Sequence, residues 1–149
     1  MIQLHRLKEE LSIGNLVTFL GAKAQNNLAH YYSAAQMVIM PSHYESFGMV
    51  AIEAMACGAP VIASDVGGLT YTIKDGFNGY LVPCNDHNAL ADKIGLLLKD
   101  PDLRNQLGEQ ARLWIKRFSW SNVADELLAV YTRALLEQTQ SISMQMCSN

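Results

Sequence analysis

Apolar positions along this chain change their period several times, and each change marks an element. From Ile2 to Leu11, Leu4, Leu7 and Leu11 recur at the spacing of one helix face, and Gly14-Asn15 closes the stretch. Val17-Thr18-Phe19-Leu20 then reads as a short strand ending at Gly21. Asn26 or Asn27 is placed to cap a helix reaching about Ala35, with Leu28, Tyr31, Tyr32 and Ala35 on its inner side. Met37–Met40 is a second strand, stopped by Pro41. Gly48–Cys57 reads as a helix with Met49, Ile52 and Ala56 on one side and Glu53 on another. Val61-Ile62-Ala63 is the continuous apolar run of a buried parallel strand.

The second half is read the same way. Asp65–Gly68 is a turn, and Leu69–Lys74 has room for one or two helical turns. Asp75-Gly76 and Asn78-Gly79 are turn signals, and Tyr80-Leu81-Val82 is a fourth strand ended by Pro83. Asn85 or Asp86 caps a helix carrying Leu90, Ile94, Leu97 and Leu98. Pro101 opens the next, which carries Leu103, Leu107, Ala111 and Ile115. Ser119 or Ser121 opens the last, with Val123, Leu127, Val130, Ala134 and Leu135 expected inward. Residues 1–138 form one domain by this reading, and 139–149 a polar tail expected to fray.

Strands alternating with helices predict the α/β class: a partial Rossmann-like parallel sheet of about four strands, right-handed crossovers, and helices on both faces. At 149 residues the chain can bury a core. Its 11 Lys+Arg against 14 Asp+Glu give a net charge of −3, which offers no field for nucleic acid or an anionic membrane. Arg112, Lys116 and Arg117 read as the solvated face of a helix. Three cysteines (Cys57, Cys84 and Cys147) without C-x-x-C spacing argue against a disulfide framework or thiolate metal site and suit a reducing compartment. The absence of a leader pattern and of a membrane-length apolar run leads to the expectation of a cytoplasmic protein.

The candidate chemistry gathers between Pro41 and Gly68. A helix starting at Gly48 presents the backbone N–H groups of Gly48, Met49 and Val50 toward the preceding loop, where its dipole favours an anion such as phosphate. Helix N-termini are common, and the plain alternative is a helix capped by Ser46 with Glu45 exposed. Glu53 sits in an otherwise apolar helix, and a buried carboxylate requires partners. The two hydroxyls of a ribose would serve; so would a salt bridge or a backbone cap. Gly67-Gly68 allows close backbone approach to a ligand, and Asp65 can cap the turn. No G-x-G-x-x-G follows a strand, and no His/Cys/Asp spacing near His43 suggests a metal. Trp114 and Trp120 read as packing residues.

E-S-F-G-M-V-A-I-E at Glu45–Glu53, continuing A-M-A-C-G-A-P-V-I-A-S-D-V-G-G, resembles the nucleotide-sugar segment of retaining family 4 glycosyltransferases, which have the GT-B fold. That group includes sucrose-phosphate synthase-like, glycogen-synthase-like and mannosyltransferase enzymes. V-T-F-L-G (Val17–Gly21), P-S-x-x-E (Pro41–Glu45), D-G-x-N-G-Y-L-V-P (Asp75–Pro83) and R-F-S-W (Arg117–Trp120) extend the resemblance over most of the chain. It implies retaining hexosyl transfer from a UDP-, ADP- or GDP-linked sugar, without a metal or other cofactor. Glu53 would hold the ribose hydroxyls, and Glu45 would contact the transferred sugar as the catalytic-site acid. Backbone groups at Phe47, Gly48 and Met49 would face the sugar or diphosphate, and the Gly21-Ala22-Lys23 turn would lie near the base.

The resemblance covers only the later part of the second domain of such enzymes. The opening strands, the Arg and Lys that neutralise the diphosphate, and the acceptor-binding first domain have no match. The isolated chain is therefore expected to be inactive, or to be a nucleotide-sugar-binding or regulatory module completed by a partner chain. Any peripheral membrane association would come through that first domain. Thr70-Tyr71-Thr72 stands where the group commonly has Pro and Glu, closer to the sucrose-phosphate synthase-like branch and a glucosyl donor. In strand order 3-2-1-4-5-6, Val17–Leu20 would be separated from Met37–Met40 by two unmatched strands. Direct pairing of the two, or an open apolar edge leading to a homodimer or poor solubility, is expected.

Overall fold

The structure, a computed structural model, describes the backbone of residues 2–147 and the side chains of residues 3–138. Its elements are α1 (Ile2–Glu10), α2 (Gln25–Ala34), β1 (Val38–Met40), α3 (Met49–Ala56), β2 (Val61–Ser64), α4 (Leu69–Thr72), β3 (Gly79–Val82), α5 (His87–Lys99), α6 (Pro101–Trp114), a 3₁₀ turn (Ile115–Phe118) and α7 (Trp120–Cys147). The strands form one parallel sheet in the order β1-β2-β3. Val38 faces Val61 across β1 and β2, and Val61 faces Gly79 across β2 and β3.

Side chains alternate across this sheet with the strand period of two. Val38, Met40, Val61, Ala63 and Leu81 enter one apolar layer with Ala51, Ala54 and Met55 of α3, and with Leu69, Ala111 and Ile115. Ile39, Ile62, Tyr80 and Val82 enter the other, with Leu90, Ile94 and Leu97 of α5 and Leu103 and Leu107 of α6. Helix α6 thus contributes to both layers. At its crossing with the α3–β2 turn, a Cβ on Gly108 would collide with the Gly58 carbonyl oxygen. Asp86 Oδ1 accepts from the Ala89 N–H at 2.9 Å, so Asp86 caps α5 as its sequence position suggests, and Asp100 Oδ1 accepts from the Leu103 N–H at 2.9 Å and caps α6.

Several expectations are corrected. Val17–Leu20 forms no strand: a strand needs a neighbour's N–H and C=O groups, and among the described residues β1 is bonded to β2 alone. Three strands, not four, make the sheet among the described residues, and the far edge of β1 stays open. Phe19 instead lies 4.2 Å from the His5 ring of α1, with Lys8 Nζ 5.9 Å from its centre. Helix α2 begins at Gln25 after Ala24, without a side-chain cap from either asparagine. Leu98 is exposed while Leu97 is buried.

The largest departure is α7. Val123, Leu127, Val130 and Leu135 are exposed, as are all its described side chains, and Trp120 is 88% exposed. An amphipathic stripe is buried only where a second apolar surface meets it, and α7 leaves the body of the domain at Ser119. Its backbone stays helical past Gln138 to Cys147; the side chains of 139–149, Cys147 included, lie outside the described residues.

Candidate functional site

The loops after β1, β2 and β3 lie together at the carboxyl edge of the sheet, where open α/β sheets place ligands. A cleft of about 480 Å³ there is lined by Pro41, His43, Ser64, Val82 and Pro83, and is flanked by Leu4 and Leu7 of α1. Beside it, the Cys84 thiol lies 3.6 Å from Nδ1 of His43.

The loop between β1 and α3 turns sharply at Gly48, whose φ of 85° suits a residue without Cβ. Gly48, not Ser46, is the cap residue of α3. Glu45 Oε1 accepts from the Gly48 N–H at 3.1 Å and from the Phe47 N–H at 3.4 Å. The carboxylate therefore holds its own loop by two of the N–H groups that the sequence assigns to a ligand. Met49 and Val50, which begin α3, have exposed side chains, and Phe47 is 49% exposed with its ring edge-on to Phe118 at 6.1 Å.

The Gly67-Gly68 pair is explained by the neighbouring loop. A Cβ on Gly67 would fall on the Glu45 carbonyl oxygen, and one on Gly68 on the Ser46 carbonyl. The Gly68 N–H donates to the Glu45 carbonyl at 2.8 Å. Thr72 adds a second tie, its hydroxyl 3.2 Å from the Gly68 carbonyl and 3.4 Å from that of Phe47. The backbone these glycines approach closely is thus the segment carrying Glu45. Thr72, absent from the sequence-based candidates, is fully buried and polar, the signature of a side chain that joins loops.

Glu53 occupies a second place. It lines a cleft of about 230 Å³ between α2 and α3, with Gln25, Leu28, Ala29, Tyr32, Ala56 and Cys57. Among the described residues neither a cation nor a backbone cap satisfies it. The Tyr32 hydroxyl donates to its Oε2 at 3.2 Å. Removal from water, then the bond to Glu53 and the nearby negative charge, raise the Tyr32 pKa above its ordinary 10.0. Tyr32 was readable in the sequence only as an inward residue of α2. A phenol packed on a core wants a partner for its hydroxyl, and Glu53 wants a donor. Lys23 is exposed and lies two residues before Gln25, which lines this cleft. Among the described residues no hydrogen bond joins Glu45 to Glu53.

Elsewhere, Trp114 is sandwiched, with the Arg117 guanidinium 3.5 Å from its ring centre and Phe77 edge-on at 6.1 Å, as packing predicts. Trp120, expected to pack as well, is exposed. No helix of the described residues is long and apolar enough to cross a membrane.

Residues 2–114 match the family described as glycosyl transferases group 1. The D-inositol 3-phosphate glycosyltransferase of Mycolicibacterium paratuberculosis is 44% identical over 137 residues, 91% of this chain and 31% of that protein. That of Acidothermus cellulolyticus is 40% identical over 146 residues, 98% of this chain and 32% of the relative. Among solved structures, sucrose-phosphate synthase from Thermosynechococcus elongatus superimposes with a TM-score of 0.83 at 43% identity, covering 91% of this chain and 34% of that one. HepE from Anabaena, solved in complex with UDP, gives a TM-score of 0.82 at 28% identity, covering 88% and 36%. The chain spans about a third of the length of these relatives. With the family match, the sequence likeness and the structural superposition in agreement, the chain belongs to the group 1 glycosyl transferases, with the C-terminal domain of their GT-B fold.

Proposed function

We propose that this domain forms the donor half of a site that transfers a hexosyl group from a nucleotide sugar, with retention of anomeric configuration. The observation that carries the reading is Glu53 lining the α2–α3 cleft on a helix whose N-terminus faces the Glu45 loop at the strand ends. Glu53 accepts the ribose hydroxyls, with Lys23 near the base. The N-terminal amides of α3 at Met49 and Val50 face the diphosphate, and Glu45 orients the transferred sugar beside Phe47 and Gly48. As the sugar–phosphate bond breaks, its electron pair goes to the departing diphosphate, and the site must stabilise that growing charge. The helix dipole of α3 contributes to this. No metal or other cofactor is required by this scheme. The Thr70-Tyr71-Thr72 segment and the likeness to sucrose-phosphate synthase favour a glucosyl donor.

Acceptor binding, and the cations that neutralise the diphosphate, belong in this scheme to surfaces beyond these residues, since the relatives are about three times as long. The exposed apolar stripe of α7 supports burial against such a surface, whether a first domain or a partner chain.

Calorimetric titration with UDP-glucose, ADP-glucose and GDP-mannose tests the reading. Saturable binding of one donor is expected, weakened at least tenfold (about 1.4 kcal/mol) by Glu53→Ala. A folded chain that binds none of the three would overturn it.

A further inference from the structure

Tyr32 and Glu53 form a pair that the donor reading leaves half explained. A glutamate on a helix has three rotatable bonds, and a carboxylate free to turn must be ordered by whatever it binds. Here the ordering is already done. The Tyr32 ring packs against the apolar layer beneath α3, so its hydroxyl has a set position, and that hydroxyl donates to Glu53 Oε2 at 3.2 Å. Both side chains line the same cleft, with Gln25, Leu28 and Cys57. A carboxylate has about four acceptor sites, so one bond from a phenol leaves room for two incoming hydroxyls.

The pair is not part of a wider structural network among the described residues. Among the described residues the ion pair is Arg6 with Glu10 on α1, far along the sequence from Glu53, and no backbone N–H donates to the Glu53 carboxylate. A salt bridge would have spent the charge on structure. A neutral donor holds the carboxylate in place and leaves its charge for a ligand.

We propose that Tyr32 is a positioning residue: its hydroxyl fixes the Glu53 carboxylate for two vicinal hydroxyls, and so makes the α2–α3 cleft selective for ribonucleotides over 2′-deoxyribonucleotides. The proposal rests on the nucleotide-sugar reading above. It also separates two roles that a single carboxylate deletion would merge, namely supplying the acceptor and aiming it.

The test is a matched titration of the full chain with UDP, ADP and GDP and the 2′-deoxy form of each. Wild type, Tyr32→Phe, Glu53→Gln and Leu28→Ala are compared. Wild type is expected to prefer the ribonucleotide of whichever base it binds. Tyr32→Phe keeps the ring and loses the hydroxyl, and should shrink that preference roughly three- to tenfold, the cost of ordering one long side chain. Glu53→Gln should remove most of what remains. Leu28→Ala, which thins the same cleft wall without touching the carboxylate, should weaken both forms alike and leave their ratio unchanged. A Tyr32→Phe chain with an undiminished ribose preference overturns the positioning role while the donor reading stands. So does one in which both forms weaken in step, as in Leu28→Ala, because Tyr32 would then be only a tie between helices. A folded wild type that binds no nucleotide overturns the donor reading and the positioning role together.

Discussion

Two parts of this molecule have similar apolar patterns and opposite fates. Between Met37 and Ile115, the sheet and its flanking helices bury Met55, Ile62, Leu69, Ile73, Leu97 and Leu107 almost completely. From Trp120 onward, α7 carries an equally regular stripe, yet Leu127, Leu128, Val130 and Tyr131 each stay more than half exposed. The contrast shows what a periodic pattern encodes. It names the face of a helix that requires cover, and the cover itself is a property of another element. In the first region β2 supplies residues to the two layers in alternation. In the second, the chain has moved past its own sheet.

The strongest way to sharpen this comparison is to truncate one leucine in each region. Leu107→Ala removes a fully buried side chain from the layer beneath β2 and β3, and should cost about 2–5 kcal/mol. Leu128→Ala should change stability by less than about 0.5 kcal/mol. Urea unfolding with a common slope measures both. Comparable losses would mean that α7 is covered in solution, and would break the contrast.

A smaller effect is expected at the loop pair. Gly68→Ala forces a methyl group onto the Ser46 carbonyl and the Phe47 backbone, and overpacking of this kind costs about 1–3 kcal/mol. Gly95→Ala, where a Cβ meets nothing within 4 Å, is the control and should be neutral or slightly stabilising. Equal behaviour of the two variants would show that the loops are not in contact.

The smallest effect is a pH dependence. The Tyr32 pKa is raised in the folded chain, so the folded state keeps its proton at pH values where the unfolded chain, near 10.0, has released it. Stability from this group is full below about pH 10 and declines as pH rises through the folded value. Tyr32→Phe should flatten that alkaline decline in a melting-temperature series; an unchanged slope would show that other groups cause it.

Much of the first region was legible in the sequence because its rules are local. Pro41 and Pro83 end two of the strands, Asp86 stands where a cap is needed, and Val61-Ile62-Ala63 reads as a strand buried on both faces. What escaped is set by contacts between distant residues. Val17–Leu20 has strand composition, but pairing depends on a neighbour that its own residues do not specify. Gly67 and Gly68 announce a close approach without saying to what; the answer, the carbonyls of Glu45 and Ser46, lies over twenty positions upstream. Glu53 was visible as a carboxylate in need of partners. Its actual partner, Tyr32, lies 21 residues away on a different helix.

The bond from the Gly68 amide to the Glu45 carbonyl has a kinetic consequence. No side chain separates the two loops, so one cannot swing away without that amide meeting solvent. Its exchange with deuterium is therefore a clock for opening at the strand ends, read at one proton with no substrate present. Protection near that of the β2 amides would describe loops that open only when the domain unfolds. Much faster exchange would assign them a local opening of their own.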